Sequence, residues 1–152
     1  MKNYFGTKRT LFLMSIIGYL IASGSVFFLP LTMFGNDERL SPFSIVIGIM
    51  FWGGVFAGIL FFVLCWRKVK RDNGYLQIRK DSKPGYLSFF ANRYSFIADI
   101  VLIAALIVII LERFLTWIPD IIVIFSMFFL IVTACLHFML SGRVYRYLFL
   151  KK

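Results

Sequence analysis

Four stretches of this chain run for about twenty residues or more with almost no charge: 10–34, 43–66, 95–114 and 118–140. A helix crosses the hydrocarbon of a bilayer with about 20 residues, each rising roughly 1.5 Å. The third stretch, apolar over 96–111 apart from Asp99, reaches that length by running from about 95 to 114. Long unbroken runs of Ile, Leu, Val and Phe do not alternate as the strands of a barrel must. Backbone groups in lipid must be satisfied within their own segment, so helices are expected. Composition agrees. A soluble domain is roughly 45–50% apolar with Gly counted and about 25% charged, whereas this chain is 61% hydrophobic without Gly and 16% charged, with a mean hydropathy of +0.86. The expected fold is all-α and polytopic: one bundle of four transmembrane helices in a single domain of 152 residues.

Charge orients those helices. Lys2, Lys8 and Arg9 precede the first span, and Arg143, Arg146, Lys151 and Lys152 follow the fourth. Between the second and third lie Arg67, Lys68, Lys70, Arg71, Arg79, Lys80, Lys83 and Arg93. The other side keeps only Arg39 and Arg113, beside Asp37, Glu38, Glu112 and Asp120. The positive-inside rule then places both termini and the basic 67–94 loop in the cytoplasm. A net charge of +10 also invites a nucleic-acid reading. Every basic group flanks a span, however, so the expected partner is the anionic headgroup layer, worth about 1 kcal/mol per basic residue near the surface, and not nucleic acid. The first span has the basic start and the small Ala22, Ser23 and Gly24 of a signal peptide. Apolar character resumes through Val26–Phe34, which favours an uncleaved helix.

The outer connections, 35–42 and 112–117, are short. The inner loop is mixed. Pro84 and Gly85 suit a turn, so Tyr75–Ile78 and Tyr86–Phe90 read either as a small hairpin or, for 86–96, as an interfacial helix; the helix is favoured. Within the spans, small residues recur at helical spacing. These are Ser15, Gly18, Ala22 and Ser25 in the first, Gly54, Ala57, Gly58 and Cys65 in the second, and Ser126, Thr133, His137 and Ser141 in the fourth. Small and hydroxyl residues let membrane helices approach closely, so Gly54, Gly58, Thr133 and Ser141 are candidate packing positions, with Phe62 on another face.

Chemistry is sparse. One His and two Cys, Cys65 and Cys135 on different spans, are too few for a metal centre. No nucleophile elbow, phosphate loop or carboxylate pair is present. The expectation is a protein that is not an enzyme, with no catalytic, cofactor-binding or metal residues and no cofactor.

The runs FFANRYSFIADI (89–100) and HFMLSGRVYRY (137–147) resemble segments of small uncharacterised four-helix membrane proteins of Gram-positive bacteria. The resemblance covers the C-terminal half. It implies a bacterial cell membrane and motif positions at Asn92, Arg93, Asp99, His137, Gly142 and Tyr145, and it brings no activity.

Asp99 and His137 carry the sharpest expectation. Each lies about one turn inside the cytoplasmic end of its span, on helices joined by a short loop and therefore antiparallel neighbours. Ionisable groups within spans are costly and usually face protein. The two are expected to pair inside the bundle near Thr133 and Ser141, as a clamp or a proton-sensitive site; the alternative has Asp99 reaching out to Arg93 and His137 to lipid. Functionally, the residues suggest a non-catalytic membrane protein that packs against a partner, as an accessory subunit or a protective (immunity-type) protein. The alternative is a homo-oligomer forming a small-solute or ion transporter component.

Overall fold

The computed structural model describes residues 2–28, 42–81, 88–115 and 117–150. Among the described residues six α-helices follow one another: α1 (Lys2–Val26), α2 (Pro42–Lys70), α3 (Asn73–Asp81), α4 (Arg93–Glu112), α5 (Asp120–Ser141) and α6 (Arg143–Tyr145). A wide π-helical turn, Arg146–Leu150, closes the described chain. No strand occurs among the described residues. Among the described residues four helices are long and apolar enough to cross a membrane: residues 7–26 of α1, then α2, α4 and α5.

Local chemistry explains the boundaries. Pro42 opens α2, where its missing N–H is no loss. Asn92 caps α4 in a capping box: its side chain accepts from Tyr94 N and Ser95 N, and Ser95 Oγ accepts from Asn92 N at 3.0 Å. Pro119 precedes α5 and Asp120 sits in its first turn, where a carboxylate complements the helix dipole.

The two hairpins, α1–α2 and α4–α5, pack together chiefly through α1 against α5, and α4 rests mainly on α5. The closest approach is between α1 and α2. A Cβ built on Gly54 would lie 2.6 Å from Gly18 O, and one on Gly18 would lie 2.8 Å from Gly54 O. Only glycines permit backbones that close, and Ser15 Oγ uses the proximity to donate to Gly58 O at 2.5 Å. Phe51 meets Phe128 edge-on at 4.6 Å, linking α2 to α5.

Burial stays low for a bundle this size. Of the most apolar stretch of each span, 39% is buried in α1 and 28% in α2, α4 and α5. Exposed positions include Ile49, Phe56, Leu60, Ile97 and Ile107, so the outward faces are hydrocarbon surfaces and lipid is their natural solvent.

Several expectations change. The α2 helix does not end at residue 66 but runs on through Arg67, Lys68 and Lys70, whose cations suit the negative end of its dipole. The hairpin is absent, because Tyr75–Ile78 lie in α3. The interfacial helix is not at 86–96 either: residues 88–92 form a turn and cap, and α4 starts at Arg93. Residues 29–41, with Pro30 and most of the first outer connection, and 82–87, with the Pro84–Gly85 turn, lie outside the described residues. Phe62 does not face away; it packs on Phe12 and Phe138, with centroids 6.3 and 6.1 Å apart.

Candidate functional site

Two polar clusters sit at the same end of the bundle, where α1 and α4 begin and α2 and α5 finish. The first joins α4 to α5. His137 Nδ1 is hydrogen-bonded to Asp99 Oδ1, with Asp99 fully buried and His137 nearly so. Since a carboxylate oxygen accepts, the network assigns the imidazole proton to Nδ1. The second carboxylate oxygen accepts from Phe90 N at 2.6 Å. That N–H reaches the bundle because Phe90 adopts a left-handed backbone, φ 59°, uncommon for a bulky residue. Beside it, Phe89 stacks on the His137 ring at 4.7 Å. Asn92 completes the junction. Its amide donates to Leu140 O at 2.7 Å, one of the carbonyls left over at the end of α5. Ser88 Oγ and His137 Nε2 are buried without a hydrogen-bond partner among the described residues.

The second cluster joins α1, α2 and the C-terminal turn. Lys8, fully buried, pairs with Asp72, which also accepts from Tyr147 Oη at 2.6 Å. Lys8 O accepts from Cys65 Sγ at 3.3 Å. Next to it, Arg9 Nε donates to Leu148 O at 2.9 Å, and its guanidinium lies 5.6 Å from the Phe149 ring centroid. Val144, Tyr145, Tyr147 and Leu148 are buried, so the tail is a plug under the bundle.

The expected residues therefore separate. Asp99, His137 and Asn92 meet, and Asp99 pairs with His137, not with Arg93, which is exposed in the first turn of α4. Thr133 and Ser141 are buried on the same face as His137, but their hydroxyls are spent on their own helix: Thr133 donates to Phe129 O and Ser141 to His137 O. They do not join the Asp99–His137 pair. Gly54 and Gly58 face α1 across the close contact, where a Cβ on Gly58 would lie 2.7 Å from the Tyr19 ring. Gly142 ends α5 with extended backbone, φ −74° and ψ 162°. Tyr145 stacks on Phe149 at 5.2 Å; burial, with Tyr94 adding, pushes its phenol up and keeps it neutral. Cys65 and Cys135 are free thiols. Among the described residues no three His, Cys, Asp or Glu gather where a metal ion could be held.

The Lys8–Asp72–Tyr147 cluster is the part that sequence reasoning missed. Its one signal is Asp72, the lone acid in the run RKVKRD.

Compared with known protein families, curated proteins and solved structures, the chain matches none.

Proposed function

We propose that this chain is a non-catalytic, multi-pass protein of a bacterial cell membrane, with both termini cytoplasmic, that acts by packing against a transmembrane helix of a partner protein. The role is that of an accessory or protective subunit. One observation carries the reading. Along α1 and α4, with α5 as its floor, runs an open cleft of about 520 Å³ lined by Leu13, Leu20, Ile97, Val101 and Phe129 and by no charged side chain. From Phe12 to Ser23 it follows α1 for about 16 Å at a rise of 1.5 Å per residue. Small side chains, Ser23, Ala98 and Thr133, line it as well, and such residues let an apolar helix approach closely.

The distribution of polar groups supports packing over transport. Both clusters lie at one end, and nearer the middle Ser126 and Thr133 donate to carbonyls of their own helix. A transport path needs polar groups or broken helices near the midplane. Fifteen of seventeen basic residues flank the end that holds the clusters, which supports its cytoplasmic placement.

The test is site-specific photo-cross-linking in native membranes, with the reactive group at Leu20 or Ile97 in the cleft and at Leu60 on the exposed face of α2. The expected result is one adduct of the same mass from both cleft positions and none from Leu60. A label moved onto a transmembrane helix of the captured protein should cross-link back to the cleft. Adducts to lipid alone would refute the reading, and adducts to a second copy of this chain would turn it toward the oligomeric transporter.

A further inference from the structure

A second groove, between α2 and α5, differs from the α1–α4 cleft in one respect: it ends in cations. Its deeper part, about 400 Å³, is bounded by Ile59, Val63, Ala134 and Met139. A smaller cavity of about 170 Å³ at the cluster-bearing end has Lys70, Tyr75 and Arg143 in its wall. The two share Phe62, Trp66 and Phe138, so they adjoin along α2 and α5. From Ile59 to Lys70 the groove follows α2 for about 16 Å. It therefore runs from hydrocarbon depth to the level where Trp and Tyr settle in a membrane.

We propose that this groove is a binding site for one anionic phospholipid of the cytoplasmic leaflet. An acyl chain lies along Ile59, Val63 and Ala134, and the phosphate is held at Lys70 and Arg143. Each end of the groove selects for one end of that molecule. Apolar surface from α2 and α5 is buried by a flexible chain at about 25 cal/mol per Å², and guanidinium and ammonium groups at the mouth form charge-assisted bonds to a phosphate. A free phosphate would gain nothing from the apolar slot, and a zwitterionic lipid, whose own ammonium offsets its phosphate, would gain less from the cations. The inference rests on the membrane placement proposed above and is independent of the partner helix.

Native mass spectrometry of the full chain in a mild non-ionic detergent tests it, with phosphatidylglycerol and phosphatidylcholine of identical chains as probes. One phosphatidylglycerol should be retained at about tenfold lower concentration than phosphatidylcholine, a difference of about 1.4 kcal/mol. Lys70→Gln with Arg143→Gln should bring it down to the phosphatidylcholine level, whereas Lys70→Arg with Arg143→Lys should keep the preference. Arg67→Gln with Arg71→Gln removes the same charge from the same end outside the groove lining and should change nothing. Ala134→Trp, which fills the slot, should weaken both lipids. Equal retention of the two lipids would overturn the proposal. So would equal losses in the two charge-removing pairs, no effect of Ala134→Trp, or displacement of the lipid by millimolar glycerol phosphate. Detergent presents both ends alike, so a wrong orientation would show in membrane labelling and leave this binding intact.

Discussion

Replacing Gly54 with Ala adds one methyl group to the tightest contact in the bundle. That Cβ would lie 2.6 Å from Gly18 O and 2.9 Å from Ala22 N, both backbone atoms that no rotamer change can move. Ordinary contact starts at 3.4 Å, so α1 must retreat by about 0.8 Å. A gap of about 0.5–1 Å forfeits a quarter to a half of each dispersion well along the interface, and overpacking typically costs about 1–3 kcal/mol. Ala returns at most about 1 kcal/mol of helix propensity relative to Gly. The expected net loss is about 1–2 kcal/mol. The same substitution at Gly53 or Gly48 meets nothing within 4 Å, so these variants should be neutral or more stable by up to about 1 kcal/mol. Gly58→Ala should fall between, because its obstacle is the Tyr19 ring, 2.7 Å away, which can tilt. Unfolding by SDS in mixed micelles, read by tryptophan fluorescence, gives the four values on one scale. If Gly54→Ala proves as stable as Gly53→Ala, the α1–α2 contact is looser than described and the reasoning fails.

Three further outcomes are expected. Asp99→Asn and His137→Gln should each cost about 1–2 kcal/mol, and the double variant should recover about 0.6–1.7 kcal/mol of their sum; strict additivity in the same titration would sink the clamp. Asp72→Asn should cost about 3 kcal/mol because it takes the carboxylate from a fully buried Lys8. Lys8→Met should cost less, since Asp72 keeps 16% of its side chain exposed, and the opposite order would show that Lys8 is held by something else. In a chain lacking its native thiols, an impermeant maleimide applied from outside should label cysteines placed at 35–42 and 112–117 and miss those at 71–83; labelling of the inner segment would invert the topology.

The four spans are legible in the sequence because each needs only its own residues to announce it: twenty apolar positions have one solution in lipid. Gly54 and Gly58 are legible for a related reason, since their spacing puts them on one side of a helix. Their true partner, Gly18, belongs to the small-residue face of α1 read from the same spacing. Asp99 and His137 could be paired on paper because a short connection fixes their helices as antiparallel and their depths as equal. The Lys8–Asp72–Tyr147 cluster offers no such shortcut. Its members are 64 and 75 residues apart, and Lys8 looks like one more topological charge until the fold is seen to bury it. Periodicity also names a face without naming a bond. Thr133 and Ser141 lie where expected, yet their hydroxyls bond the carbonyls of the preceding turn and not a neighbouring helix.

The clamp and the cleft are coupled through one short segment. Residues 88–92 leave a helix-compatible path at Phe90, where a left-handed backbone costs about 1–2 kcal/mol. Strain of that size persists only when the surroundings over-determine it, and here three contacts do so. Phe90 N–H is held by Asp99, the Phe89 ring by His137, and the Asn92 amide by Leu140 O. Two of these contacts end on α5 and one on α4, so the segment fixes the rotation of α4 about its own axis. That rotation decides which residues α4 turns toward α1. With Asp99 held on α5, its neighbours Ile97 and Ala98 line the cleft. On this arrangement the buried pair needs no chemistry of its own to matter, because it sets the face that α4 turns to the cleft. Asp99→Asn should therefore weaken the photo-cross-link at Ile97 while leaving the α1–α2 contact around Gly54 as stable as before. A variant that loses the pair but keeps the Ile97 adduct at full yield would separate the two and reduce the clamp to a local staple.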